Sequence, residues 1–358
     1  MAIEVDARAA GFEAKKLARI GEHLSERYVE PGKIAGCQVL VSRHGIPGYF
    51  ESYGLMDRER NKPMQDDTLF RIYSMSKPIT SVALMMLWEE GRFQLSDPVH
   101  RYIPSWRNQV VWQEGEGSSM VTRRPKAPPT MQHILSHTAG LTYGGLLPGL
   151  ESPVDAAYQH MGVVRGDGET LIEFADKLGR VPLLYEPGSK WCYSLATDVC
   201  GALVEIISGQ PFEQFLQERL FAPLGMRDTG FRVSDDQLDR FAACYVRGPD
   251  KRLLLEDDPE TSHYRHKRNF FSGGGGLVGT TSDYMAFCEM LRQGGRYQGT
   301  QILGRRTLEL MTANHLLQGQ SLAEMALGAF SETTNAGVGC GLGFASTLDE
   351  VESCTVCA

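Results

Sequence analysis

Apolar residues recur along the chain with two different periods, and each change of period marks a new element. Phe12, Leu17, Ile20, Leu24 and Tyr28 fall at helical spacing, which predicts an amphipathic helix over residues 12–29. Cys37-Gln-Val-Leu-Val-Ser-Arg-His-Gly45 then alternates, breaks at Gly45, and Tyr49 to Gly54 returns. Two alternating runs about a glycine turn predict a hairpin, hence an antiparallel sheet. Met75, Ile79, Val82, Ala83, Met86 and Leu87 restore the helical period. They predict a helix starting at Ser74, buried along one face, with Gly91 as its stop. Pro78 agrees with that start, because proline is tolerated only in the first turn.

Further along, a polar loop is expected from Gly115 to Pro129. Thr130 to Leu141 predicts a short helix running into a Gly-rich loop up to Gly149. Residues 168–184 and 196–223 are helical by period, so the middle of the chain reads as all-helical. Thr280 with Asp283 resembles a capping box opening a helix through Leu291. Residues 305–317 predict another helix, Gly341 to Thr347 a strand, and no internal repeat is visible.

Composition narrows the function classes. The 358 residues carry a net charge of −8 with no basic block, which removes electrostatic support for nucleic acid or anionic membrane as a partner. No apolar run reaches 18 residues, and the first residues lack the pattern of a signal peptide, so the expectation is a cytoplasmic protein. Six of the eight cysteines, at 37, 192, 200, 244, 288 and 340, read as small buried residues. Cys354-Thr-Val-Cys357 is a lone C-x-x-C without a second half, so no metal is expected there.

The candidate chemistry centres on Ser74-Met75-Ser76-Lys77, an S-x-x-K pattern. Three residues are nearly one helical turn, so the Ser74 hydroxyl and the Lys77 amine share a face. Ser74 could serve only as a helix cap, or it could be a nucleophile whose proton passes to a lysine tuned by desolvation. Tyr193, near Trp191, is either a buried aromatic or a proton-transfer group beside that lysine. Gly274, Gly276 and Gly279 fit G-x-G-x-x-G, but Tyr264-Arg-His-Lys-Arg-Asn269 precedes them instead of an apolar strand. A tight turn or close backbone approach is the better reading of these glycines. No G-x-S-x-G elbow exists to pair with His133 or His137, and His137 reads as a structural hydrogen-bonding residue.

Several segments in one order carry a resemblance. These are Tyr73-Ser-Met-Ser-Lys-Pro-Ile-Thr80, Leu135-Ser-His-Thr-Ala-Gly-Leu141, Pro187-Gly-Ser-Lys-Trp-Cys-Tyr-Ser194 and Gly273-Gly-Gly-Gly-Leu-Val-Gly279. Gly295 to Leu303 and Met311-Thr-Ala-Asn-His315 follow. Over roughly residues 15–347 the chain resembles the serine β-lactamase-related family, and most of all the family VIII carboxylesterases, relatives of class C β-lactamases. The resemblance implies an α/β (α+β) chain of β-lactamase/penicillin-binding-like fold. Residues 1–95 and 275–358 would form a discontinuous domain with an antiparallel sheet, residues 96–274 a mostly helical one, and the active site would lie where they meet. Ser74 is then similar to the acylated nucleophile, its N–H to one oxyanion donor, Lys77 to the partner base and Tyr193 to the tyrosine of Y-x-N. Tyr143 to Leu147 and the 240–270 segment are candidates for walling an acyl pocket.

Two departures shape the expectation. Leu195 stands where β-lactamases carry the asparagine of Y-x-N, which favours plain esters over antibiotics. No K-T-G, H-x-G or W-G-G motif follows Asp349. The expectation is therefore a truncated or frame-shifted end, an open sheet edge, and weak activity or stability through loss of an oxyanion donor worth about 10²–10³ in rate. The expected function is hydrolysis of small, short-chain carboxylic esters through acyl-Ser74, with no cofactor and β-lactams at most weak substrates. The rivals are a β-lactamase, a D,D-peptidase or an acyltransferase of the same fold, and a non-catalytic scaffold.

Overall fold

The computed structural model describes residues 3–146, 151–163, 166, 168–327 and 335–353. Leu147 and Gly149 of the Gly-rich loop, and Cys354 and Cys357 of the C-x-x-C, lie outside the described residues. The chain divides into two compact units. One comprises Met1–Ile72, Phe221–Arg268 and Leu277–Gln293; the other comprises Tyr73–Leu220, Asn269–Gly276 and Gly294–Ala358.

The first unit begins with α1 (Ala14–Leu24), which runs into a wider helical turn at Ser25–Val29. Strands β1 (Gly36–Arg43) and β2 (Ile46–Asp57) pair antiparallel from Gly36 opposite Gly54 to Arg43 opposite Ile46. The two-residue loop holds His44 at φ 56° and Gly45 at φ 81°, the pair of positive values that a type I′ hairpin turn needs. A short β3 (Lys62–Pro63) extends the sheet beyond β2, and among the described residues β1 pairs with β2 alone. Strand β4 (Phe70–Arg71) pairs antiparallel with Val278–Gly279. Leu69, Val233, Phe241, Tyr264 and Val278 close a core around it. The Arg71 guanidinium enters that core by donating to Asp257 at 2.7 Å and lying 4.0 Å from the Phe241 ring centroid. Helix Thr281–Arg292 is capped by Thr280, whose hydroxyl accepts from the Asp283 amide, as the sequence predicts.

The second unit is built around α2 (Ser76–Glu89). Every residue from Ile79 to Leu87 is buried, so α2 is enclosed on all sides and not, as expected, along one face. Each such aliphatic side chain contributes about 1.5–3 kcal/mol on burial, so packing and not helix propensity holds the element. Gly91, at φ 72°, ends it as expected. Short α3 (Met131–Leu135) starts at a capping box between Thr130 and His133. After α4 (Asp155–His160) comes α5 (Leu171–Leu178), shorter than the predicted 168–184 because Thr170 and Glu173 cap its start and Pro182 follows its end. Helix α6 (Ala196–Ser208) packs against both α2 and α5. The single helix expected over 196–223 is broken where Gly209 takes φ 74° and Pro211 follows.

Other expectations need correction. The middle of the chain is not all-helical: Val111–Glu114 pairs with Val121–Arg123, the latter inside the predicted polar loop, and Cys244–Arg247 pairs with Leu253–Asp257. The helix expected over 305–317 is Arg305–Thr312, and the strand expected at 341–347 is a hairpin of Val338–Cys340 with Ala345–Thr347. Of the six cysteines expected to be buried, Cys192, Cys200 and Cys340 are, Cys37 and Cys244 are half-buried, and Cys288 is exposed. Among the described residues no helix is long and apolar enough to cross a membrane.

Candidate active site

Ser74 does not open the α-helix. It sits in a 3₁₀ turn, Tyr73–Met75, and the α-helix begins at Ser76. Tyr73 enters the turn at φ 42°, a value that a bulky residue adopts only when its surroundings impose it. The result lifts Ser74 to the surface between Tyr73, 49% exposed, and Met75, 48% exposed. Lys77, on the first turn of α2, is 6% exposed. Its Nζ donates to Ser74 Oγ at 3.1 Å and to the Gly274 carbonyl at 2.6 Å. An exposed hydroxyl thus rests on a buried amine.

Lys77 Nζ also lies 4.6 Å from the centroid of the Tyr193 ring. Tyr193 follows the short strand Trp191–Cys192, which pairs in parallel with Ala326–Leu327, and it stands three residues before the first residue of α6. Three rings hold it in place: Tyr143 stacked at 5.5 Å, His137 at 5.2 Å and Trp191 at 6.1 Å. Ser74, Lys77, Tyr193 and Tyr143 are therefore brought together. Leu195 is not part of that surface, because its side chain is 0% exposed at the N-cap of α6. Residues 240–268 belong to the first unit.

His137 is buried, with Nδ1 3.1 Å from Ser194 Oγ and Nε2 3.4 Å from Thr197 Oγ1. Burial, helped by the positive Lys77 and opposed by Asp198, pushes its pKa down to about 3. A neutral imidazole with hydroxyls at both nitrogens orients its neighbours and does not need to exchange protons. His133 is likewise held down, to about 4, by burial.

The glycine segment supplies close backbone approach. Gly273 O accepts from Thr80 Oγ1 at 2.8 Å, one helical turn beyond Lys77, and Gly274 O accepts from Lys77 itself. A Cβ at Gly273 would stand 2.7 Å from the Thr197 carbonyl oxygen, so only glycine fits there. The Gly274 amide donates to Asp198, which also accepts from Ser272. Reasoning from the sequence passes over Asp198, because an acid in the first turn of a helix usually reads as a favourable dipole partner.

An exposed serine thus rests on a buried lysine at a helix start, with a tyrosine ring alongside, which is the arrangement expected of the S-x-x-K pattern. The chain matches the family described as Beta-lactamase over residues 22–347 and belongs to that family. It is similar to Protein Rv1367c of Mycobacterium tuberculosis, at 34% identity over 84% of this chain and 73% of the relative. It is also similar to Esterase EstB of Burkholderia gladioli, at 33% identity over 81% of this chain and 74% of that protein. Among solved structures, EstCE1, described as a hydrolase with promiscuous acyltransferase activity, superposes with a TM-score of 0.76 at 31% identity. That superposition covers 95% of this chain and 85% of EstCE1. The fold is thus β-lactamase/penicillin-binding-protein-like, in a family whose relatives include esterases and acyltransferases.

Proposed function

We propose that the protein is a serine carboxylesterase that hydrolyses small, short-chain carboxylic esters through an acyl-Ser74 intermediate. The observation that carries this reading is the 3.1 Å contact between the exposed Ser74 Oγ and the buried Lys77 Nζ. In its neutral form the amine accepts the Ser74 proton as Oγ attacks the ester carbonyl carbon. The negative charge that gathers on the carbonyl oxygen is met by the Ser74 N–H at the start of the helix. Collapse breaks the bond to the alcohol oxygen, which takes a proton from Tyr193 and Lys77 acting as a pair. Water then attacks the acyl-enzyme, gives up its proton to the same pair, and releases the acid and free Ser74. Ester and water go in, acid and alcohol come out, and the proton count closes. Tyr73 and Met75 offer apolar flanks suited to an uncharged substrate.

EstCE1's described acyltransferase activity favours a second outcome, in which an alcohol replaces water in the second step. A β-lactam role has less support, since Leu195 is an enclosed apolar side chain where an amide would be needed.

The test is turnover of p-nitrophenyl butyrate together with intact-mass detection of a fluorophosphonate adduct. The expected result is one adduct, on the peptide containing Ser74, with Ser74→Ala losing the adduct and at least about 10⁴-fold in kcat/KM. A folded protein that neither turns over the ester nor takes up the probe would overturn the reading. Adding methanol or a longer alcohol and measuring ester product separates transfer from hydrolysis, and a chromogenic cephalosporin turned over as fast as the ester would favour a lactamase.

A further inference from the structure

Asp198 places a carboxylate where solvent does not reach: it is 0% exposed, in the first turn of α6. Its Oδ1 accepts from the Ser272 hydroxyl at 2.5 Å and from the Gly274 amide at 3.0 Å. Gly274 is the residue whose carbonyl accepts from Lys77 Nζ at 2.6 Å. The backbone of one glycine is thus held on its N–H side by a carboxylate, while its C=O side holds the amine beneath Ser74.

Burying an ionised carboxylate costs several kcal/mol, offset here by charge-assisted hydrogen bonds and the positive end of α6. A neutral side chain could tie the 272–276 segment to α6 at a smaller cost. A carboxylate adds a strong, directional grip on a backbone amide. Glycine needs that grip more than any other residue, because without a Cβ its φ and ψ are the least restricted in the chain. If the Gly274 peptide turned, its carbonyl would leave Nζ and the amine could swing away from Ser74 Oγ. Misplacement by about 1 Å can cost 10²-fold in rate.

We propose that Asp198 is a positioning residue: its carboxylate sets the Gly274 backbone, and the Gly274 carbonyl sets the Lys77 amine against Ser74. The proposal rests on the reading of Ser74 as nucleophile and Lys77 as its base. Lys77 touches the reacting atom, and Asp198 acts through Gly274.

The experiment uses the full chain carrying lysine labelled with ¹³C at Cε. The Lys77 resonance is identified by its loss in Lys77→Arg, then followed in the wild type, Asp198→Asn and Ser272→Ala, alongside kcat and KM for p-nitrophenyl butyrate and the thermal midpoint. In both variants the Lys77 Cε resonance is expected to move, further in Asp198→Asn. Turnover by Asp198→Asn is expected to fall about 10–100-fold in kcat with KM within about twofold. Ser272→Ala, which removes the Ser272 bond to Oδ1 and leaves the Gly274 bond in place, is expected to show a smaller loss in the same direction. A purely structural Asp198 would lower the thermal midpoint and leave the resonance and the kcat of folded protein at wild-type values, and that result overturns the proposal. Should Asp198→Asn fail to fold, Ser272→Ala decides in the same terms. Should the wild type turn over no ester, the esterase reading falls, while the Lys77 resonance in the two variants still decides whether Asp198 holds the amine.

Discussion

Lys77 is where opposing physical effects meet. Burial favours a neutral amine, whereas the Gly274 carbonyl and the face of the Tyr193 ring, 4.6 Å from Nζ, favour the ammonium. The proton acceptor proposed here needs both influences: one to be empty before the attack, the other to hold the proton during it. The 3.1 Å contact with Ser74 suits transfer in either direction. Two substitutions separate a proton acceptor from a mere positive charge. Lys77→Met is expected to lower kcat by about 10²–10⁴. Lys77→Arg keeps a cation that cannot deprotonate, so it is expected to be as inactive as the methionine variant. An arginine variant retaining more than a tenth of wild-type kcat would show that charge alone suffices. Tyr193→Phe keeps the stack with Tyr143 and removes the hydroxyl, so a loss of kcat with little change in thermal midpoint is expected.

At the scale of elements, the site is a junction of α2, the start of α6 and the glycine segment. Gly273→Ala tests that junction, because its Cβ would meet the Thr197 carbonyl oxygen at 2.7 Å and Thr80 Cγ2 at 2.9 Å. Forcing these apart is expected to cost about 1–3 kcal/mol in stability and to lower kcat, because Gly274 is carried along. Gly209→Ala is the matched control. It sits at the far end of α6 with φ 74° and open space where a Cβ would stand, so about 1 kcal/mol of stability should go with kcat unchanged. Equal losses of activity in both variants, measured per folded molecule, would argue against any special role for the junction. These elements are unevenly legible in the sequence. The hairpin turn at His44-Gly45 and the Thr280 cap follow from local chemistry, and both stand as expected. The break after Ser208 is masked because apolar spacing continues through Phe212, Phe215 and Leu216 and hides the glycine and proline between. The all-round burial of α2 is not legible because a period shows which face is most apolar, not how many faces are covered.

For the whole molecule, the two histidines kept neutral make stability depend on pH in a definite direction. The ordinary histidine pKa is near 6.5, while burial holds His137 near 3 and His133 near 4 in the folded chain. Below pH 6.5 the unfolded chain therefore binds protons that the folded chain refuses. The contribution of each group is complete above pH 6.5 and declines as pH falls towards the folded value, with a slope of up to about 1.4 kcal/mol per pH unit. Urea midpoints at pH 7, 5.5 and 4.5 should fall more steeply for the wild type than for His137→Asn, which cannot titrate there. Parallel curves would mean that His137 takes up protons in the folded chain as readily as in the unfolded one. Net charge acts at the same scale: at −8, the molecule should show no retention on immobilised nucleic acid at low salt, and clear retention would contradict the charge argument.

The family was legible because its segments stand in order along the chain, and the Ser74–Lys77 contact because three residues on a helical turn meet whatever surrounds them. Tertiary structure decided the rest. Gly274 lies 197 residues from Lys77 and 76 from Asp198, yet it joins the two through its own carbonyl and amide. The neutral state of His137, the enclosure of Leu195 and the exposure of Ser74 likewise depend on which segments fold over them. Local propensity and periodicity act within a few residues, whereas burial and long-range hydrogen bonds exist only once distant segments have packed. A site of this kind therefore shows its serine and lysine in the sequence, and what holds them in place only in the fold.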